Sequence, residues 1–201
     1  MLIASQFLLW VVVALLSIAV LALARQIGVL HERIAPMGAL VTDAGGPKVG
    51  DMVPHAHATT LDGKPLAIGP GYMSARSTLL IFVSPSCPIC KKMIPLAKAV
   101  TASEGFDLVF IGDGDLGEQR KMVQRYDLAK YPFANSPEIG LALHVGKLPY
   151  GVLVRSDGVI AAKGLVNTRE HLESLAVAQE TGFASAQAYL VSTRNKKTEA
   201  V

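Results

Sequence analysis

Cysteine is nearly absent from this chain: 201 residues hold only two, Cys87 and Cys90. Any intramolecular disulfide must therefore join this pair. A four-ligand zinc site would need two histidines as well, and none of the five present stands at the usual paired spacing. An excess of one charge is also lacking. The net charge is +3, from 19 Lys and Arg against 16 Asp and Glu, and the basic residues are scattered rather than striped along one face. Nucleic-acid binding has no footprint here. Internal repeats and low-complexity blocks are missing, and no Lys or Arg precedes the long apolar run near the N-terminus.

What is there begins with the surroundings of the two cysteines. The apolar run Leu79-Leu80-Ile81-Phe82-Val83 reads as a strand, and the chain continues Ser84-Pro85-Ser86-Cys87-Pro88-Ile89-Cys90 into a helix-like segment. A thiol at a helix N-terminus meets unpaired backbone N–H groups and the positive end of the helix dipole, which favour thiolate over thiol. Cys90, one turn on, is placed to attack a mixed disulfide formed at Cys87 and release the product. The pattern points to a redox centre. The plainer reading is two small buried hydrophobes, which the strand-to-helix context argues against.

Phe7 to Ala24 contains 18 residues with only Ser17 polar, and twelve of them are Leu, Ile, Val or Phe. At a few tenths of a kcal/mol each, these favour membrane insertion by on the order of 5 kcal/mol. The length reaches the lower range of a span. The segment reads as an uncleaved transmembrane anchor over 7–24, behind an N-terminal tail 1–6. Ala22-Leu23-Ala24 resembles a cleavage site, but the run is long for a signal peptide and lacks a basic start. Arg25 and Arg33 follow the span, and taken literally this charge bias would keep the remainder in the cytoplasm. A juxtamembrane tether over 25–48 ends at Gly45-Gly46-Pro47. Removing these parts and a C-terminal extension and tail, 179–201, leaves one domain over 49–178, about 130 residues.

Within that domain, Asp62-Gly63 between Thr59-Thr60-Leu61 and Pro65-Leu66 predicts a hairpin. Leu79–Val83 shows no alternation, as for a strand buried on both faces. With a helix from Pro88 to about Ala102 and a strand over Phe106–Gly112, it forms a βαβ unit. That crossover makes the strands parallel and puts Cys87 at the carboxyl end of the first. Pro95 either kinks this helix or ends it. Ser136-Pro137-Glu138 and Asn167 through Glu170 read as helix starts. Gly151–Val154 and Val159–Ala162 flank the turn Ser156-Asp157-Gly158 as antiparallel strands. Pro149 cannot donate to a ladder, so it stands at a strand's first residue or at an edge.

Over 49–178 these residues resemble the thioredoxin-like superfamily: CPIC after a buried strand, a proline five residues beyond the second Cys, and Leu148-Pro149 before a hairpin. The resemblance implies an α/β fold, a central mixed sheet flanked by helices. It also implies a cis Leu148–Pro149 bond beside the dithiol, with Pro88, Leu148 and Pro149 supporting Cys87 and Cys90. The superfamily's buried Asp, six residues before the first Cys, is replaced by Ile81, so the proton acceptor is open. The strings VGDMVP, SPSCPICKKMIP, SPEIGLALHVGKLPYGVL and ETGFASAQAYL, with the apolar N-terminus, resemble the MauD family of methylamine dehydrogenase accessory proteins. That resemblance implies a disulfide oxidoreductase or isomerase in the periplasm, held in the inner membrane bilayer. Its implied partners are the methylamine dehydrogenase small subunit and a membrane thiol-redox protein. No cofactor beyond the Cys87–Cys90 disulfide is implied.

Other classes remain open at this point. Copper delivery would use the cysteines with His55, His57 or His144. A thiol peroxidase would use Ser84-Pro85-Ser86-Cys87, although Leu80 stands where that motif needs proline. In a purely structural adaptor the dithiol would be inert.

Overall fold

A computed structural model describes residues 2–33 and 45–181. The chain divides into two compact units, Met1–Met37 and Gly38–Val201. In the first, helix α1 spans Leu2–Arg33, and its Phe7, Trp10, Leu15 and Leu21 side chains are all more than half exposed. Counted over described residues, no helix is both long and apolar enough to cross a membrane. The described side chains of α1 stop at Leu21, so the span expected over 7–24 is not shown. Of the C-terminal extension and tail expected over 179–201, everything after Thr181 lies outside the described residues.

The second unit contains β1 (Ala56–Thr59), β2 (Pro65–Ile68), β3 (Thr78–Val83), α2 (Pro88–Glu104), β4 (Asp107–Gly112), α3 (Leu116–Arg125), β5 (Phe133–Asn135), α4 (Pro137–Ala142), β6 (Tyr150–Val154), β7 (Ile160–Leu165) and α5 (Arg169–Thr181). β1 and β2 form the expected hairpin. The others make a five-stranded sheet in the order β5-β4-β3-β6-β7. β3 pairs parallel with β4 from Thr78↔Asp107 to Val83↔Gly112, and antiparallel with β6. A mixed sheet with β3 at its centre is the thioredoxin-like arrangement.

All six residues of β3 are buried, and successive side chains go to opposite faces. Leu79, Ile81 and Val83 join a cluster with Cys90, Met93 and Ile94 of α2 and Leu172 and Leu175 of α5. Leu80 and Phe82 join the other, with Val53, Ile68, Ile139 and Leu143. Each such large apolar side chain is stabilising by about 1.5–3 kcal/mol. The central strand is therefore clamped from both sides.

Two local expectations change. α2 passes through Pro95 and continues to Glu104, where Gly105 in the left-handed conformation (φ 71°) caps it. Pro95 does not end the helix, because Met93, Ile94, Ala97 and Val100 on either side of it remain buried and packing outweighs one missing bond. The Asn167 box also differs: the Asn167 N–H donates to His171 Nδ1 at 3.3 Å, not to Glu170, and α5 begins at Arg169. Ser136 does cap α4, with Pro137 in its first turn.

Irregular backbone meets both sheet edges. Leu61 N–H donates to Phe133 O at 2.7 Å beside β5. Next to β7, Gly50 N–H donates to Ile160 O and Ile160 N–H to Asp51 O, each at 2.9 Å.

Candidate active site

β3 ends at Val83, and the three residues Ser84-Pro85-Ser86 carry the chain to the start of α2. The Cys87 N–H donates to Ser84 O at 3.1 Å, closing this turn, and the Ser84 and Ser86 hydroxyls lie 2.9 Å apart. Cys87 is the N-cap of α2, with extended backbone (φ −86°, ψ 113°) and Pro88 in the first turn. Its Sγ accepts the Cys90 N–H at 3.2 Å. A sulfur thus stands where a capping oxygen usually sits, and a hydrogen bond of this kind strengthens as the acceptor gains negative charge. Pro88 has no N–H to offer, and at that position none is needed within the helix.

The two thiols are both free. Cys87 is half-buried, whereas Cys90 is 0% exposed. Burial pushes the Cys90 thiol up to about 12, and the adjoining Cys87 sulfur adds to the shift. Ile81 is fully buried in the same apolar cluster. The expected replacement of a carboxylate by hydrocarbon therefore holds in the packing as well as in the sequence.

The Leu148–Pro149 bond is cis, and Pro149 is buried just before β6. Pro149 O accepts the Val166 N–H at 3.1 Å, which ties this corner to the end of β7. Leu148 packs against both core clusters. Since β6 neighbours β3, the 148–149 corner sits at the Phe82 end of the sheet, where Phe82 pairs with Tyr150. All five expected site residues thus belong to the same end of the sheet. Ser84 was not singled out by sequence as a structural anchor; the Ser-x-x-Cys spacing was its only signal.

The histidines go elsewhere. His55 and His57 pack edge-on against the Tyr72 ring, at 5.9 and 5.6 Å between centroids. His144 lies against Gly46, where an added Cβ would sit 2.6 Å from the ring. Among the described residues, no three His, Cys, Asp or Glu side chains come together as a metal site. Lys91 and Lys92 are exposed.

No protein-family profile matches the chain. Among solved structures, a secreted Mycobacterium tuberculosis disulfide oxidoreductase homologous to E. coli DsbE superposes with a TM-score of 0.51. It is 26% identical and covers 61% of this chain and 95% of its own. A thiol-disulfide oxidoreductase from Bacteroides fragilis gives a TM-score of 0.52 at 18% identity, over 62% and 99% of the two chains. The second likeness shows the fold alone. Methylamine utilization protein MauD of Paracoccus denitrificans is 46% identical over 195 residues, 97% of both chains. That of Methylorubrum extorquens is 45% identical over 194 residues, 96% of this chain and 94% of its own. The chain belongs to the MauD family. As a MauD-family protein with a free dithiol at the head of a helix, on the fold of a secreted disulfide oxidoreductase, it is a thiol–disulfide oxidoreductase.

Proposed function

We propose that this MauD-family protein matures the small subunit of methylamine dehydrogenase by thiol–disulfide exchange, with Cys87 as the attacking sulfur and Cys90 as the resolving one. The observation that carries the role assignment is the difference in burial: Cys87 reaches solvent and Cys90 does not. Pro88, Leu148 and Pro149 support the dithiol, and the cysteine pair is the only redox group the reaction uses. The names of the relatives tie this family to methylamine utilisation. An exported subunit with many cysteines, as the resemblance implies, needs wrong pairings reopened by a thiolate.

The same reading places the domain in the periplasm, attached by α1 to the inner membrane, where a membrane thiol protein resets the dithiol. Its support is the apolar run Phe7–Ala24 within α1 and the exported substrate, which together outweigh the weak charge bias of Arg25 and Arg33. Protease added to intact spheroplasts should digest the domain. Complete protection, with controls for access, would reverse the topology.

The decisive experiment is complementation. Loss of the protein should leave the small subunit mispaired and degraded while its transcript persists. The double variant Cys87→Ser, Cys90→Ser should fail to restore it although the protein still accumulates. Full rescue by that variant would replace the redox role with that of a chaperone.

A further inference from the structure

The end of the sheet away from Cys87 carries a cavity of about 460 Å³. Its floor includes Leu80 and Val109, which pack on the hairpin side of the sheet and not on the side of α2 and α5. Leu66, Ile68 and Met73 line it from the hairpin and the loop that follows, and Phe106 and Pro132 from the approaches to β4 and β5. β3 and β4 begin here, at Thr78 and Asp107, whereas Cys87 follows the opposite end of β3.

The polar groups around the cavity are matched to one another. Asp107 accepts a hydrogen bond from the Ser74 hydroxyl and pairs with Arg76 at 3.0 Å, while Lys130 Nζ lies over the Tyr131 ring, 5.5 Å from its centroid. What remains suits hydrocarbon and not charge. At the density of a protein interior the volume takes about two or three large apolar side chains, and a contiguous apolar surface of this kind marks a place where something docks.

The last helix leads the chain to the same end. β7 finishes at Leu165 opposite Tyr150, beside the dithiol, and α5 packs back along β7 and α2. Its 13 residues rise about 20 Å, which is the length of a six-residue strand such as β7. Thr181 therefore comes level with Thr78 and Asp107. Twenty residues follow it, and their composition changes half-way. Gly182–Val191 holds Phe183, Tyr189, Leu190 and Val191 and no charge, whereas Ser192–Val201 holds Arg194, Lys196, Lys197 and Glu199. Extended, the chain from Gly182 to Leu190 reaches about 30 Å, against a spacing between packed layers of about 10 Å. That is enough to pass beneath the sheet from its helix face to its hairpin face.

We propose that this cavity is the docking site of the chain's own C-terminal stretch, with Tyr189, Leu190 and Val191 as the side chains that enter it. Docked so, the stretch ties α5 on one face of the sheet to the β1–β2 hairpin on the other, across the end opposite Cys87. Neither cysteine takes part, so the docking stands or falls apart from the redox assignment.

The test uses the full-length protein in lipid nanodiscs, with the photo-crosslinking residue p-benzoyl-phenylalanine in place of Leu190. After irradiation and proteolysis, mass spectrometry should find position 190 joined, within one chain, to peptides covering 66–73, 106–109 or 130–132. Bonds between two copies, to lipid or to other parts of the domain overturn the proposal in favour of self-association, a membrane contact or another resting place, and the absence of any bond also counts against it. In a second arm, ending the chain at Thr181 should speed amide hydrogen exchange in 66–68 and 130–132 at least about tenfold while α2 is unchanged. Tyr189→Asp with Leu190→Asp should do the same, because a carboxylate is costly in an apolar cavity, whereas Lys196→Asp with Lys197→Asp should not. Exchange that is equal with and without the stretch overturns the docking. If a shortened or substituted chain does not accumulate, the crosslinks from position 190 decide alone.

Discussion

Cys87 and Cys90 are one helical turn apart, yet they occupy different media. One caps α2 with its sulfur against a backbone N–H and its flank in solvent. The other is sealed among Ile81, Met93 and Ile94. On the proposed assignment, the same side chain at nearly the same address serves as the attacking sulfur in one case and is held protonated among hydrocarbon in the other. Spacing identifies such a pair, and burial assigns the roles within it.

The comparison can be broken most severely by exchanging sulfur for oxygen. Cys87→Ser should abolish disulfide exchange, whereas Cys90→Ser should hold single-thiol partners as stable adducts on Cys87, visible as a shifted band on a non-reducing gel. The reverse pattern would invert the roles. A smaller contrast lies in alkylation of the reduced protein at pH 7. There Cys87 should react with iodoacetamide at least about a hundredfold faster than Cys90, as read by peptide mapping, and comparable rates would show that Cys90 is not sealed. The smallest effect is on stability. Because the Cys90 thiol is raised from its ordinary value of 9.0 to about 12 on folding, the folded state favours the protonated form. Its contribution is complete below pH 9 and is lost as pH rises from 9 towards 12, by on the order of 1 kcal/mol per unit. Denaturant unfolding of the wild type should weaken over that window relative to Cys90→Ala. Parallel curves would mean that the fold does not hold this thiol protonated.

Much of this was legible in the chain. The unalternating LLIFV run forecasts a strand buried on both faces, and Asp62-Gly63 and Ser156-Asp157-Gly158 mark their hairpins because tight turns need such residues. The dithiol at a strand-to-helix junction marks the site. Less legible were features decided by neighbours distant in sequence. Pro95 argues locally for a helix end, and only the core packed around Ala97 and Val100 overrules it. The partner of the Asn167 N–H depended on how α5 meets the loop, which places the His171 ring there and not Glu170. Strand β5, three residues long, is too short to leave a periodic signature, so the sheet's outer limit could not be read in advance.

That outer limit matters for the proposed role on incompletely folded chains. An unpaired strand edge is a template onto which any loose segment can zip. Here Thr60 and Leu61 occupy the flank of β5, where Thr60 bridges Ala134, and residues 50–53 occupy the start of β7, with Val53 N–H donating to Gly158 O at 2.8 Å. At these two stretches the sheet edge is not on offer to a guest strand. On the proposed function, an incompletely folded client would then find the loop end that bears Cys87 more open to it than these two covered stretches of edge.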